Sequence, residues 1–534
     1  MWIPSVWLYM YDEWITTSGK IVHSIIRLLL SVLFLEFFVL IKRKSHRALV
    51  LILFFISFFA DVTFLYAYKG FHSTSSMLAL FNTTKTEALQ YITLNWVLYF
   101  VVLVVLFVFG YLALKLNFSL VKSSYSYKLI KLVGVLLILL GTQSAFTYFN
   151  NPLELGLKSS VKLNVLKHYP VNFYYRLYEK VRYDQKKNQY LANVKSFSFD
   201  ASVQDSVVRN NTVVFIIGET QRADLYHQEL AKHTDQLQHF DQFNFVPLPN
   251  FYSTANSTAY SFPLMVTRAT ASNPELSFNE PSIAKLFSEA GYKTFWLANQ
   301  NLFKGPEGKS YKEEVDVFKP LWKQGGLDTV VWEPLKEIVK DTASLKFLLI
   351  NLKGNHYRYE YPEVFELYQP NLESENVYAF DKSNELYFRN SYNNNTAFQL
   401  SILDSIHSII SEINGPTSLF FSSDHGESMF EPPHYFFGHG TSTLPLEQVH
   451  CFSYFWFNNY YIKQFKGQYE NINNNSSQPY SFDYIFETLA DLGGVHYQGK
   501  NVEYSMVYKE PMLCDTIKVR TGESITVIDV SSVH

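Results

Sequence analysis

Between Ala88 and Leu114 the chain carries no charged side chain, and Leu132 to Leu153 is equally free of charge. Each run exceeds the roughly 20 apolar residues that an α-helix needs to cross a hydrocarbon core. Ala48 to Tyr68 carries only Asp61, and Ile21 to Ile41 only Arg27 and Glu36. Four membrane spans are therefore expected, at about 21–41, 48–68, 93–114 and 131–149. Residues 1–17 are apolar and aromatic but short and interrupted by Asp12 and Glu13, so they read as an interfacial segment. Without a preceding basic region they do not read as a cleavable leader. Asp61 and Glu36 read as polar groups satisfied near a span end or inside the bundle, rather than as intramembrane functional groups.

The basic loop Lys42 to Arg47 and the lysines 115, 122, 128 and 131 lie on one side of such a bundle. The positive-inside rule makes that side cytoplasmic and places the loop 69–87 and everything after residue 150 outside. The mean hydropathy of the chain is only -0.04. The apolar third must therefore be balanced by a polar remainder, and a membrane protein throughout is excluded. A net charge of -3 gives no basic field for nucleic acid. Two cysteines, Cys451 and Cys514, exclude a disulfide scaffold and a four-cysteine zinc module. Residues 1–150 are thus expected to form the transmembrane bundle, 151–205 amphipathic bridging helices at the membrane surface, and 206–534 a separate extracytoplasmic domain.

In that last region short apolar runs alternate with helical stretches. VVFII (213–217), TFWLA (294–298), FLLIN (347–351), SLFFS (418–422) and SYFWF (453–457) read as strands. Such continuous runs suit a mostly parallel sheet covered on both faces. PSIAKLFSEAGY (281–292) and NTAFQLSILDSIHSIISEI (395–413) read as helices, and the Asn-rich stretch 471–478 as a surface loop.

Ligands of open α/β sheets bind beyond the carboxyl ends of the strands. After VVFII comes Gly218-Glu219-Thr220, after SLFFS comes Ser423-Asp424-His425-Gly426-Glu427, and after FLLIN comes Leu352-Lys353-Gly354-Asn355-His356. Three strands thus deliver acids and histidines, ligand types for zinc or another divalent cation, to one edge. His439 sits between two glycines, where backbone can approach a ligand closely. The hydroxyl-rich stretch Ser253 to Pro263 runs into a helix whose free N–H groups could receive a phosphate.

Together GET-x-R (Gly218 to Arg222), STAYS-x-P (Ser257 to Pro263), SSDHGES (Ser422 to Ser428) and GHGT (Gly438 to Thr441) resemble the phosphoethanolamine transferases of Gram-negative bacteria. That family lies within the sulfatase and alkaline-phosphatase superfamily. The resemblance implies an N-terminal helical bundle in the inner membrane and a periplasmic alkaline-phosphatase-like α/β domain. It implies Zn2+ held by Glu219, Thr258, Asp424 and His425, with Thr258 as nucleophile. It assigns His356 and His439 to the substrate phosphate or to a second zinc. In the loop at 69–87, Thr83 and Glu87 match the family's headgroup site, although Ala79 replaces its asparagine; Lys304 matches too, with Asn301 in place of a serine. Family members bracket the nucleophile loop with a disulfide at positions that here are Thr254 and Leu264. The implied reaction moves phosphoethanolamine from phosphatidylethanolamine to a lipid A, lipopolysaccharide or other envelope glycan acceptor.

The closest competing reading is a glycerol-phosphate transferase of the lipoteichoic-acid-synthase type, which shares a threonine nucleophile and a membrane bundle. A hydrolytic sulfatase would need a Cys or Ser two residues before Pro and Arg two residues after it. Ser261-Phe262-Pro263 is instead followed by Leu264 and Met265. A binding protein that has lost its activity would predict erosion of the metal set, and all four positions are present.

Overall fold

The computed structural model describes residues 43–68, 96–115, 171–194 and most of 196–531, with scattered positions between 29 and 41, 77 and 81, and 133 and 140. It omits 204–209, 241–243, 301–310 and a few single positions. The expected segment 1–17 lies outside the described residues, as do most of the spans at 21–41 and 131–149. The chain forms two compact units, one of residues 1–181 with 431–436 and one of 182–430 with 437–534.

In the first unit, α1 (Lys44–Tyr68) and α2 (Trp96–Lys115) pack together. Phe55 meets Phe109 edge-on at 6.3 Å, and a Cβ at Gly110 would stand 2.9 Å from the Phe55 ring, so glycine permits the close approach. Within α1, Lys44–Val62 is long and apolar enough to cross a membrane, and Tyr99–Lys115 is a shorter apolar helix. The outward residues of α2 include Trp96, Phe100 and Phe107, the last 76% exposed. A helix apolar on its outer face as well as its inner one suits a lipid surround. Asp61 is buried on α1. α3 (Val171–Val194) carries the division between the units at Val181–Arg182.

The second unit is built on a seven-stranded sheet of β1 (Asn211–Gly218), β2 (Phe245–Pro247), β3 (Lys293–Ala298), β4 (Val317–Pro320), β5 (Leu345–Asn351), β6 (Thr417–Ser423) and β7 (Ser453–Phe457), in the order β2-β7-β6-β1-β5-β3-β4. Every residue of β1 and β6 is buried, because helices cover both faces of these central strands. α4 (Ala223–His233), α7 (Trp332–Val339) and α8 (Glu385–Ser411) form one helical group. α5 (Thr258–Val266), α6 (Ile283–Glu289) and α9 (Ile485–Leu492) form another.

The sheet is mixed rather than mostly parallel. β6, β1, β5, β3 and β4 pair in parallel, but β7 runs antiparallel to both β6 and β2. The connection Asp424–Phe452 explains this. It stays at the edge where β6 ends instead of crossing back through a helix, so the next strand must return the opposite way. The Asn-rich stretch is also not a loop throughout: Lys466–Asn475 is helical. Ile472 is buried there, and Asn471 and Asn475 donate to the carbonyls of Val507 and Tyr508 at 3.0 and 3.2 Å.

A hairpin of β8 (Thr516–Thr521) and β9 (Ser524–Asp529) closes the fold. Its alternating Ile517 and Val519 pack with Val530 against Tyr252 and Val449, beside the segment that leads into α5.

Candidate active site

Glu219 leaves the end of β1 and is buried. Its backbone is gripped from two sides. Asn355 N–H donates to the Glu219 carbonyl at 2.9 Å, and Tyr392 Oη donates to the Thr220 carbonyl at 2.8 Å. Gly354 presses on Glu219 so closely that a Cβ there would lie 2.6 Å from its carbonyl oxygen. Asp328 sets that contact by accepting from the N–H groups of Lys353 and Gly354 at 2.8 and 3.0 Å.

The end of β6, parallel to β1, brings Asp424 and His425 alongside. Asp424 N–H donates to the Gly218 carbonyl at 3.1 Å, and Asp424 Oδ1 accepts from Thr220 N–H at 3.2 Å. His425 Nδ1 lies 2.8 Å from the Gly426 carbonyl. Because a carbonyl only accepts, that nitrogen carries the proton and Nε2 offers its lone pair inward. Nε2 sits 3.4 Å from Glu219 Oε1 and 3.4 Å from Asp424 Oδ2.

Thr258 is the first residue of α5. Its Oγ1 is 3.1 Å from both Glu219 carboxylate oxygens and 3.1 Å from His425 Nε2. A hydroxyl at a helix start is backed by free N–H groups and the positive end of the dipole, both suited to a phosphate. Ser257, the N-cap residue, makes no side-chain capping bond, which leaves those groups available.

His439 lies beside His425 with ring centroids 4.1 Å apart and the rings tilted by 44°. Ligand atoms of Glu219, His425 and His439 all fall within 4.8 Å of one another, a spacing compatible with one metal ion. His356 is not part of that triad; its Nδ1 donates to the Tyr357 carbonyl at 2.8 Å, and its imidazole is among the groups that lower Glu219. Thr83, Glu87, Asn301 and Lys304 lie outside the described residues.

Three further residues shape the site: Gln300, and Ser261 and Glu427 from within the quoted motifs. Gln300 donates its amide to Glu219 Oε2. Ser261 Oγ lies 3.4 Å from Asp424 Oδ2. Glu427, buried and hydrogen-bonded by Tyr359 Oη, stands 3.4 Å from His439 Nδ1, the carboxylate–imidazole arrangement that orients metal-binding histidines. Glu427 lies inside SDHGES, so its position was visible in the sequence although its partner was not.

The donor set asks for a cation. Among the described residues no lysine or arginine pairs with Glu219 or Asp424, and both carboxylates are buried. Burial pushes both upward. For Glu219 the imidazoles of His425, His356 and His439 and the Gln300 amide outweigh it and hold the group below its ordinary range. For Asp424, burial and the neighbouring Glu219 charge prevail and drive it well above. Two carboxylates that cannot both ionise comfortably are what a divalent ion resolves.

The loop that carries Thr258 is held without a disulfide. Thr254 and Leu264 are both buried. Arg520 of β8 donates its N–H to the Thr254 carbonyl at 2.8 Å and lays its guanidinium over Tyr260 at 4.4 Å. Asn256 Nδ2 donates to the Thr441 carbonyl and to Gln448 Oε1, both at 2.9 Å, tying the loop to the GHGT turn. Cys451 is buried with a free thiol, and Cys514 lies outside the described residues.

The sulfatase family model matches residues 211–495, more than half of the chain. The chain belongs to the sulfatase family. Relatives of this sulfatase-family protein include the phosphoethanolamine transferase EptC of Escherichia coli K12, 26% identical over 318 residues that cover 55% of this chain and 53% of that protein. The phosphoethanolamine transferase EptA of the same organism is 25% identical over 299 residues, 54% of each chain. The chain thus matches about half the length of these curated relatives. In structure it is similar to the integral membrane protein lipooligosaccharide phosphoethanolamine transferase A from Neisseria meningitidis, with a TM-score of 0.72, 18% identity and coverage of 95% of this chain and 94% of that one. The periplasmic domain of EptC from Escherichia coli, solved in complex with Zn, aligns with a TM-score of 0.54 and 22% identity over 62% of this chain and 95% of that one.

Proposed function

We propose that this sulfatase-family protein is a membrane-anchored phosphoethanolamine transferase that uses Thr258 as its nucleophile, phosphatidylethanolamine as donor and a lipid A-like or other envelope glycan as acceptor. The observation that carries the reading is the threonine hydroxyl, 3.1 Å from both oxygens of Glu219 and from His425 Nε2 at the start of a helix. The similarity to phosphoethanolamine transferases and the apolar helices α1 and α2 support the choice of a lipid donor and an inner-membrane location, with the site facing the periplasm.

The residues fit a zinc ion: Glu219, Asp424 and His425 are buried donors around Thr258, and His439 completes the cluster. When bound, Zn2+ would supply positive charge beside the threonine oxygen and the phosphoryl oxygens. The remaining work falls to the chain. Glu219 holds the Thr258 hydroxyl in one orientation, and the N–H groups that open α5 receive phosphoryl oxygens. Thr258 Oγ1 forms a bond to phosphorus as the phosphorus–oxygen bond to diacylglycerol breaks. His439, oriented by Glu427, or His356 takes up the Thr258 proton and passes it to the departing oxygen. An acceptor hydroxyl or phosphate then attacks the phosphothreonine and gives up its proton to the same histidine, which returns it to Thr258 Oγ1 as the bond to phosphorus breaks. This is a two-step transfer with a covalent intermediate.

Full-length protein in detergent with zinc and fluorescent phosphatidylethanolamine tests the assignment. Diacylglycerol release that is lost in Thr258→Ala is expected. Release from phosphatidylglycerol but not from phosphatidylethanolamine would overturn the donor and favour glycerol-phosphate transfer.

A further inference from the structure

The helix that opens on Thr258 has a gap in its own hydrogen bonding. In an α-helix each N–H donates to the carbonyl four residues before it, so the Ala259 carbonyl should be met by residue 263. That residue is Pro263, which lies inside α5 and has no N–H to give. The gap opens one residue after Thr258, whose Oγ1 keeps three contacts of 3.1 Å with Glu219 and His425.

The missing donor comes from α3. Tyr183 is buried, and its Oη donates to the Ala259 carbonyl at 3.1 Å. Its ring meets Tyr260 of α5 edge-on at 5.8 Å and Phe278 at 5.6 Å, and these contacts fix where the hydroxyl points. Tyr190, about two turns further along the same face of α3, is buried as well. Its Oη donates to Glu314 Oε1 at 2.6 Å, and its ring meets Tyr311, which in turn meets Phe262 of α5. α3 therefore braces α5 at two points, and the first of them reaches a backbone group next to Thr258. Tyr183 is the second residue that α3 contributes to the second unit.

We infer that Tyr183 is a positioning residue for Thr258. Its hydroxyl replaces the N–H that Pro263 lacks, and so holds the first turn of α5, and with it the Thr258 hydroxyl, against Glu219 and His425. The inference rests on the proposal that Thr258 is the nucleophile. It adds that α3, and not the catalytic motifs alone, sets the reactive geometry.

Tyr183→Phe removes the hydroxyl and keeps the ring, while Pro263→Ala supplies the missing N–H, so the two changes form a double-mutant cycle. Amide hydrogen exchange of the full-length protein in detergent reads α5 without reference to any donor. Tyr183→Phe should speed exchange in the peptide spanning α5 about two- to tenfold, the weight of one hydrogen bond, and leave α8 unchanged. It should lower the kcat of diacylglycerol release severalfold and leave KM unchanged, because Tyr183 acts through the backbone of α5. In the Pro263→Ala background the same change should do neither. Unchanged exchange in α5, a kcat that stays at the wild-type value, or an equal loss with and without Pro263 would overturn the inference. Wild-type protein that releases no diacylglycerol would instead overturn the function proposed above, and the exchange cycle would still decide whether Tyr183 holds α5.

Discussion

Replacing Gly354 by alanine isolates how tightly the fold must hold Glu219. Gly354 has φ +55°, where a side chain costs about 1–2 kcal/mol. Its new Cβ would also stand 2.6 Å from the Glu219 carbonyl oxygen and 2.7 Å from its nitrogen. Reaching even 3.0 Å requires a shift of about 0.4 Å, and an ordinary contact of 3.4 Å requires about 0.8 Å. Both contacts are backbone, so the displacement passes to the carboxylate that faces Thr258. A misplacement near 1 Å costs about 10²-fold in rate, so Gly354→Ala should lower diacylglycerol release roughly ten- to a hundredfold. Gly291→Ala is the matched control: φ is +89° but nothing lies within 4 Å of the added Cβ. It should lose comparable stability and keep its rate. Thermal unfolding and diacylglycerol release, measured on both variants, separate strain from displacement. Full activity in folded Gly354→Ala would refute the reasoning.

Gln448→Leu removes the amide that joins Asn256, Ser428, Gly438 and Thr441, leaving their buried polar groups unpaired; a cost of about 1–3 kcal/mol should appear as a lower melting temperature and a slower reaction. His407 is fully buried, with burial first and then the charge of His239 lowering it to about 3. The native state therefore keeps it neutral while the unfolded chain takes up a proton below about 6.5, so its stabilisation is present above that pH and is lost as pH falls. The loss amounts to about 2 kcal/mol between pH 7 and 5, and denaturant unfolding of His407→Phe should show a pH slope shallower by that amount. Chelation should abolish diacylglycerol release and lower the melting temperature, zinc should restore both, and Asp424→Asn should remove the zinc-dependent increment; a melting curve indifferent to zinc would count against the metal site.

Much of the site was legible because chemistry in this fold sits where strands end. Runs such as VVFII and SLFFS mark buried strands, and the residues immediately after them, Glu219, Asp424 and His425, necessarily share an edge when those strands are parallel neighbours. The antiparallel course of SYFWF was not legible, since an apolar run buried on both faces reads the same in either direction. The partners of Gln300 and Glu427 escaped for another reason. Their roles arise from contacts across 81 residues to Glu219 and from a loop that folds His439 back onto Glu427. The Asn-rich helix at Lys466–Asn475 was hidden because its amides gain their partners only from the distant segment Val507–Lys509. The clamp that holds the Thr258 loop without a disulfide is likewise non-local, since β8 reaches Thr254 from the far end of the chain.

The central claim is that the Thr258 hydroxyl becomes covalently loaded during turnover. Peptide mass spectrometry of the full-length protein, after incubation with phosphatidylethanolamine and zinc without acceptor, tests it most directly. Phosphoethanolamine on Thr258, absent after Thr258→Ala and discharged when acceptor is added, is the predicted result. An unmodified Thr258 in protein that holds zinc and releases diacylglycerol would contradict it.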